Sequence, residues 1–140
     1  MNSIGGYKKV TLFFADQVTV SLSDNSASLV ASAAGLVLPI VPGKASISSS
    51  DRGDGSFEHV ADLTLKVSGV DSATSRQLRQ VSGRGCVLKA EDFDGYSWLL
   101  GDGDYPLSGT LEELHGTLPS DLHHWRLQLS AVCLHSMMRL

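Results

Sequence analysis

Five histidines, two cysteines and a scatter of carboxylates are the side chains of this chain able to bind a metal, act as a nucleophile or move protons. Four of the histidines, His115, His123, His124 and His135, crowd the C-terminal third. A zinc site needs three or four ligands converging from fixed directions, and His123 and His124, as neighbours on a strand, point to opposite faces. Cys133 and His135 stand two apart and share a face. Such neighbours are separated by about 7 Å, and an apolar setting raises a thiol's pKa. Cys86 and Cys133 fall on apolar strand faces and read as free buried thiols. Asp92 with Asp94, and Asp102 with Asp104, resemble pieces of calcium loops, yet neither stretch supplies the bidentate carboxylate that closes one. Asp-Gly turns account for both. Neither Gly-x-Ser-x-Gly nor Gly-x-x-x-x-Gly-Lys-Ser/Thr occurs, and Glu112-Glu113 has no visible partner for acid/base work. The expectation is no enzyme, no metal and no cofactor.

The remaining chemistry is that of surfaces. A net charge of -4, from 15 acidic and 11 basic side chains, does not make the positive field that a nucleic-acid backbone requires. Nucleic acid is not expected except as passing cargo. No run approaches the ~20 apolar residues of a membrane span, and no signal-peptide core precedes the first lysines, so the reading is cytoplasmic at synthesis. Arg52-Gly53-Asp54 would interest an integrin in a cell-surface ligand; here it reads as a solvated turn. Arg76 and Arg79, with Arg84 beyond them, form either a solvated helix face or a local basic patch lining a pore or groove.

The elements that position these residues are mostly strands. At 140 residues, 42% hydrophobic and 19% charged, the chain suits a single domain, 1–140, able to bury a core. Its centre is a hairpin over 84–107. Taking Phe93, Asp94 and Gly95 as a three-residue loop, with Gly at the left-handed position, pairs Asp92 with Tyr96, Ala90 with Trp98 and Leu88 with Leu100. Cys86, Leu88 and Ala90 then lie across from Tyr96, Trp98 and Leu100 as one apolar face, with a polar face behind. Residues 10–22 alternate as a strand, either folded into a hairpin at Ala15-Asp16-Gln17 or running on as one bent strand. Residues 27–34 offer a short capped helix ending at Gly35, or equally a small-residue strand or loop. Leu36 to Val41 is an edge strand or extended arm because Pro39 cannot donate a ladder bond, and Pro42-Gly43 turns the chain. Ser48 to Ser56 is the most loop-like stretch. Phe57 to Val67 alternates cleanly, with Phe57, His59, Ala61, Leu63, Leu65 and Val67 on the buried face and Glu58, Asp62, Thr64 and Lys66 on the other. Asp71 or Ser72 caps a helix over 73–81 that ends at Gly83 and buries Leu78 and Val81. Residues 111–118 are ambiguous. Leu122 to Leu134 is a long final strand inside the sheet, with Trp125, Leu127, Leu129, Ala131 and Cys133 on one face. The fold class is mainly β: an antiparallel sandwich or barrel-like sheet with one short helix.

One resemblance bears on function. The order Pro42-Gly43-Lys44-Ala45, a polar loop ending Asp54-Gly55-Ser56-Phe57, an alternating strand, a short helix with Leu78, then Val87-Leu88, Asp94-Gly95-Tyr96-Ser97-Trp98-Leu99-Leu100-Gly101 and Pro106-Leu107 resembles small β-rich structural proteins of tailed phages and prophages, encoded near head-tail connector and tail proteins. It covers roughly residues 36–107 and rests on turn and strand motifs. The resemblance implies a subunit that associates side by side with copies of itself or with other particle proteins, in a virion or prophage particle, and supplies no catalytic residues. The Pro39 arm and the 48–56 loop, with Ser49, Asp51, Arg52 and Asp54, are then the excursions that reach a neighbour. The rival reading is a stand-alone β-domain that binds a small ligand or peptide in a cleft.

Overall fold

Period-two alternation needs two cover layers, one for each apolar face, and the computed structural model supplies them as stacked sheets. It describes residues 7–22, 26–33, 35–66, 71–101, 104–114, 124–135 and 137–140, with backbone alone at 42–44, 82, 114 and 124. The strands are β1 (Tyr7–Phe14), β2 (Val18–Leu22), β3 (Ala27–Ala31), β4 (Leu36–Val37), β5 (Ile40–Asp51), β6 (Phe57–Lys66), β7 (Cys86–Asp92), β8 (Ser97–Leu100), β9 (Ser108–Leu114), β10 (His124–Cys133) and β11 (Met138–Arg139). Helices α1 (Ser72–Leu78) and α2 (Val81–Arg84) lie between β6 and β7. One sheet runs β11-β8-β7-β1-β4, a second β5-β6-β10-β9, and β2 and β3 form a separate ribbon. All strand pairs are antiparallel. This is the sandwich form of the expected class, with no closed barrel.

The main core fills the space between the two larger sheets. Val10, Leu12, Leu88, Ala90 and Leu100 come from one side and Ala61, Leu63, Leu65, Leu127 and Leu129 from the other, with Leu78 and Val81 of the helices plugging the same cluster. Asp71 caps α1 by accepting the Thr74 N–H at 2.8 Å, and the helical segment ends at Gly85, which adopts φ 73°. The alternating strand over 57–66 is as expected: His59, Ala61, Leu63 and Leu65 are buried and the residues between them are not. β10 sits inside its sheet, again as expected.

The central hairpin forms in the expected register, with Leu88 facing Leu100, Ala90 facing Trp98, and Gly95 at φ 90°. Its second face is not polar, however. Val87 and Leu99 are fully buried there, together with Ala27, under Phe13, Val18, Val20 and Leu29. Tyr96, expected on the apolar stripe, is exposed at the loop and stacks under the Arg139 guanidinium at 4.1 Å.

The ribbon that covers this second face overturns one expectation and decides a second between its alternatives. Residues 15–17 make a single 3-10 turn, and the chain after it leaves β1 altogether; no hairpin pairs Phe14 with Val18. Residues 27–31 are a strand, not a helix, paired with β2 from Val18–Ala31 to Leu22–Ala27. Small residues there permit either form, and the apolar face of the sheet below decides for the strand.

The chain also changes sheets at tight corners. Leu36 and Val37 pair with β1, Leu38 donates to the Val10 carbonyl, and by Ile40 the strand belongs to the second sheet. Pro39 stands at this corner, where losing an N–H costs nothing and its carbonyl accepts from Lys66 at 2.8 Å. Pro42-Gly43 does not turn the chain; it lies within β5 at an irregular register between Ile40 and Ala45. A second corner lies at Leu107, which exchanges two hydrogen bonds with Cys86 (2.8 and 2.7 Å) before β9 begins in the other sheet. The chain passes back once more after β10, which is not the final strand, to lay β11 beside β8.

β9 and β10 approach so closely at one point that only glycine fits: a Cβ on Gly109 would overlap the Gln128 carbonyl. Gly109→Ala should therefore lower stability by about 2–3 kcal/mol, read as a shifted urea midpoint, whereas Gly53→Ala, in open space, should lose only about 1 kcal/mol from its positive φ. Equal midpoints for Gly109→Ala and wild type would contradict the strand approach.

Candidate functional site

The residues expected to reach a neighbour are carried by the two ends of β5 and by α1. Asp51 pairs with Phe57, and beyond it Arg52 donates its N–H to the Ser56 carbonyl (3.1 Å) to close a hairpin in which Gly53 and Gly55 adopt φ of 82° and 87°. Asp51 accepts the Gly53 N–H at 2.7 Å and Asp54 the Ser56 N–H at 3.1 Å, so both carboxylates stiffen their own loop. Ser56 hydrogen bonds hold the Asp54 carboxyl below the ordinary value of 3.8. The stretch from 48 to 51, expected to be loop, is strand; the loop proper is 52–56. Ser49 is half-buried, its hydroxyl accepting the Met137 N–H at 3.2 Å.

Pro39 is half-buried at the far end of the same strand. Arg79 belongs to that end too, because its guanidinium lies 5.8 Å from the ring centroid of Trp125, which pairs with Leu65, the partner of Ile40. Arg76 is exposed on α1. Leu65 and Phe57 are eight residues apart along β6, so the two groups are separated by about 27 Å at the strand rise. The structure thus brings Ser49, Asp51, Arg52 and Asp54 together and leaves Pro39, Arg76 and Arg79 elsewhere.

What the structure adds is the open side of β5. The Arg52–Ser56 pair fixes the parity of the ladder. Even residues of β5, Ser46, Ser48 and Ser50, exchange hydrogen bonds with β6, so the N–H and C=O groups of Ala45, Ile47, Ser49 and Asp51 point away from the sheet. Among the described residues, no other strand or backbone group pairs with them. The other edges of the two larger sheets differ. β4 and β11 have two residues each, and β9 is flanked by α2. A strand edge of this length with no charge or proline from Ala45 to Ser50 is an open template for pairing.

A shallow groove of about 380 Å³ lies between the end of β1, the 15–17 turn and α1–α2, lined by Phe13, Phe14, Gln17, Gln77, Gln80 and Arg84 among others. Its one cation is committed. Arg84 donates to both Asp16 oxygens (3.0 and 2.6 Å) and to Gln80 (2.9 Å), and stacks at 3.9 Å over Phe14. The Arg84 hydrogen bonds hold the Asp16 carboxyl below its usual value.

Groups with chemical potential elsewhere are occupied structurally. Among the described residues, no three His, Cys, Asp or Glu side chains are placed to hold a metal. His115 and His123 lie outside the described residues. Cys86 and Cys133 are buried thiols outside any disulfide, as expected; Cys133 donates to the Tyr105 carbonyl at 3.6 Å, and burial pushes the Cys86 thiol up to about 12. Two groups have structural tasks that the sequence did not assign to them. Asp92 accepts the Asp94 and Tyr96 N–H groups on one oxygen (2.9 and 3.0 Å) and the Trp98 indole N–H on the other (3.0 Å), which with burial opposing sets its carboxyl below the usual range. His59 is completely buried: Gly101 N–H donates to its Nδ1 at 3.2 Å, so Nε2 carries the proton and donates to the His135 carbonyl at 2.8 Å. Comparison with family models, with curated proteins and with solved structures gave no match.

Removing the His59 imidazole strands a buried N–H and a carbonyl. His59→Leu should destabilise by about 2–5 kcal/mol in urea melts, and a near-neutral result would reduce His59 to simple packing. Asp92 tests the hairpin cap by pH. A carboxyl lowered in the folded state contributes stability above its unfolded value of about 3.9 and loses it as pH falls through the folded value. The stability gap between wild type and Asp92→Asn should accordingly be widest near pH 7 and close toward pH 3; a gap independent of pH would contradict the capping role.

Proposed function

We propose that this chain is a structural subunit of a phage- or prophage-type particle, at the tail or head-tail connection, and that it joins its neighbours through strand edges and loops. The observation that carries this reading is the open edge of β5 running directly into an exposed, self-braced hairpin at 52–56. Three supports accompany it. The titratable side chains described above are engaged within their own turns or the core, so the available chemistry is that of backbone pairing. No helix among the described residues is long and apolar enough to cross a membrane. The strand corners at Pro39 and Leu107 stitch the two sheets together, which suits a part that bears load. The particle assignment itself rests on the resemblance over residues 36–107.

The second reading, a β-domain that binds a small ligand or peptide, is favoured by the groove beside Arg84. Its volume lies within the range of small-molecule sites, but its guanidinium already satisfies Asp16 and Gln80.

Solution mass separates the two. Light scattering across a concentration series should show growth from monomer to a defined oligomer, and Arg52→Ser, at the exposed hairpin, should reduce the oligomer without shifting the melting temperature. A monomer at every concentration removes self-assembly and turns attention to the groove.

A further inference from the structure

We infer that β5 pairs with β5 of a second copy of this chain, antiparallel about a two-fold axis at Ser48, to give one continuous eight-stranded sheet. The inference rests on the assembly reading and names the partner.

The register follows from parity. An antiparallel neighbour must hydrogen-bond through the outward groups of Ala45, Ile47, Ser49 and Asp51. Centring the axis on Ser48 sets Ala45 opposite the partner's Asp51 and Ile47 opposite the partner's Ser49, so every outward N–H and C=O of this stretch is satisfied. Shifting the axis by one residue leaves part of the edge unpaired. The same register places the exposed hydroxyls of Ser46, Ser48 and Ser50 in the close non-hydrogen-bonded positions, Ser48 against its own copy and Ser46 against the partner's Ser50. These side chains are small and uncharged, so nothing on that face resists the approach. The one carboxylate of the stretch, Asp51, meets Ala45 at either end and stands about 20 Å from its symmetry mate. On the inner face, Ala45 and Ile47, which pack against the main core, continue across the seam. A foreign strand would need the same small outer face and apolar inner face, which an identical strand provides. Because the contact is two-fold, it closes at two subunits, and any larger ring or tube grows from dimers through other surfaces.

The experiment is oxidative cross-linking of the intact chain. Non-hydrogen-bonded pairs bring Cα atoms to ~4.5 Å, inside the range a disulfide spans. Ser48→Cys should convert most of the protein to a covalent dimer on a non-reducing gel, while Ser130→Cys, exposed on the interior strand β10, stays monomeric; the native thiols are buried and do not compete. The triple variant Ser46→Lys, Ser48→Lys and Ser50→Lys, all at exposed positions, should weaken the non-covalent dimer by about tenfold or more through facing like charges. Growth in mass without Ser48→Cys cross-linking, and with the lysine variant assembling like wild type, overturns β5 pairing and leaves the assembly reading standing. A monomeric chain with no cross-link overturns both, and equal cross-linking of Ser48→Cys and Ser130→Cys marks random collision and overturns the register.

Discussion

One buried imidazole joins the parts of this fold that the chain itself visits far apart. His59 stands on the inner face of β6, accepts a hydrogen bond from the backbone N–H of Gly101 at the end of β8, and donates one to the carbonyl of His135 just after β10. These partners lie 42 and 76 residues away and come from chain crossing between the two sheets. A neutral ring with one donor and one acceptor fits that place; an apolar side chain would leave both groups orphaned in a region without water. The edge-on His135 ring, with centroids 5.7 Å apart, packs against it from the same crossing.

Around this point the sandwich is sewn, not merely stacked. Each sheet receives strands from both halves of the chain, and the crossings at Pro39, Leu107 and Met137 are short. Burial alone would leave two sheets free to slide on an apolar film, since the hydrophobic effect is non-directional. The corner hydrogen bonds, Leu38 to Val10, Lys66 to Pro39 and the Cys86–Leu107 pair, set the sheets in one position. The ribbon of β2 and β3 then covers the back of the hairpin, making Val87 and Leu99 as dry as Leu88 and Leu100.

What could be read from sequence divides along the range of the interactions. The 86–100 hairpin was legible in register because Gly95 and the apolar stripe are local signals. The strand over 57–66 was legible because strict alternation has one interpretation. Residues 27–31 were ambiguous because Ala and Ser suit helix or strand, and only the uncovered face of a distant sheet resolves them. The polar back assigned to the hairpin failed for the same reason: Val87 and Leu99 are flanked by Lys89 and Ser97, and nothing nearby announces their cover. His59 was placed on the inner face correctly, yet its task depends on two backbone groups, which leave no mark in composition. Of the residues expected to make contacts, the set at the 49–54 end is gathered by one hairpin. Pro39, Arg76 and Arg79 were grouped with it by exposure and residue type, which carry no information about distance.

The pairing of β1 with β7 has a consequence for biosynthesis. Val10 faces Ala90 and Phe14 faces Cys86, so the first strand emerges from the ribosome with only the two residues of β4 to pair with until the whole of β5, β6 and the helices has followed. At ordinary translation rates that delay is on the order of ten seconds, during which an apolar strand is exposed to water. Slower synthesis between Val37 and Cys86 lengthens that exposure, and faster synthesis shortens it.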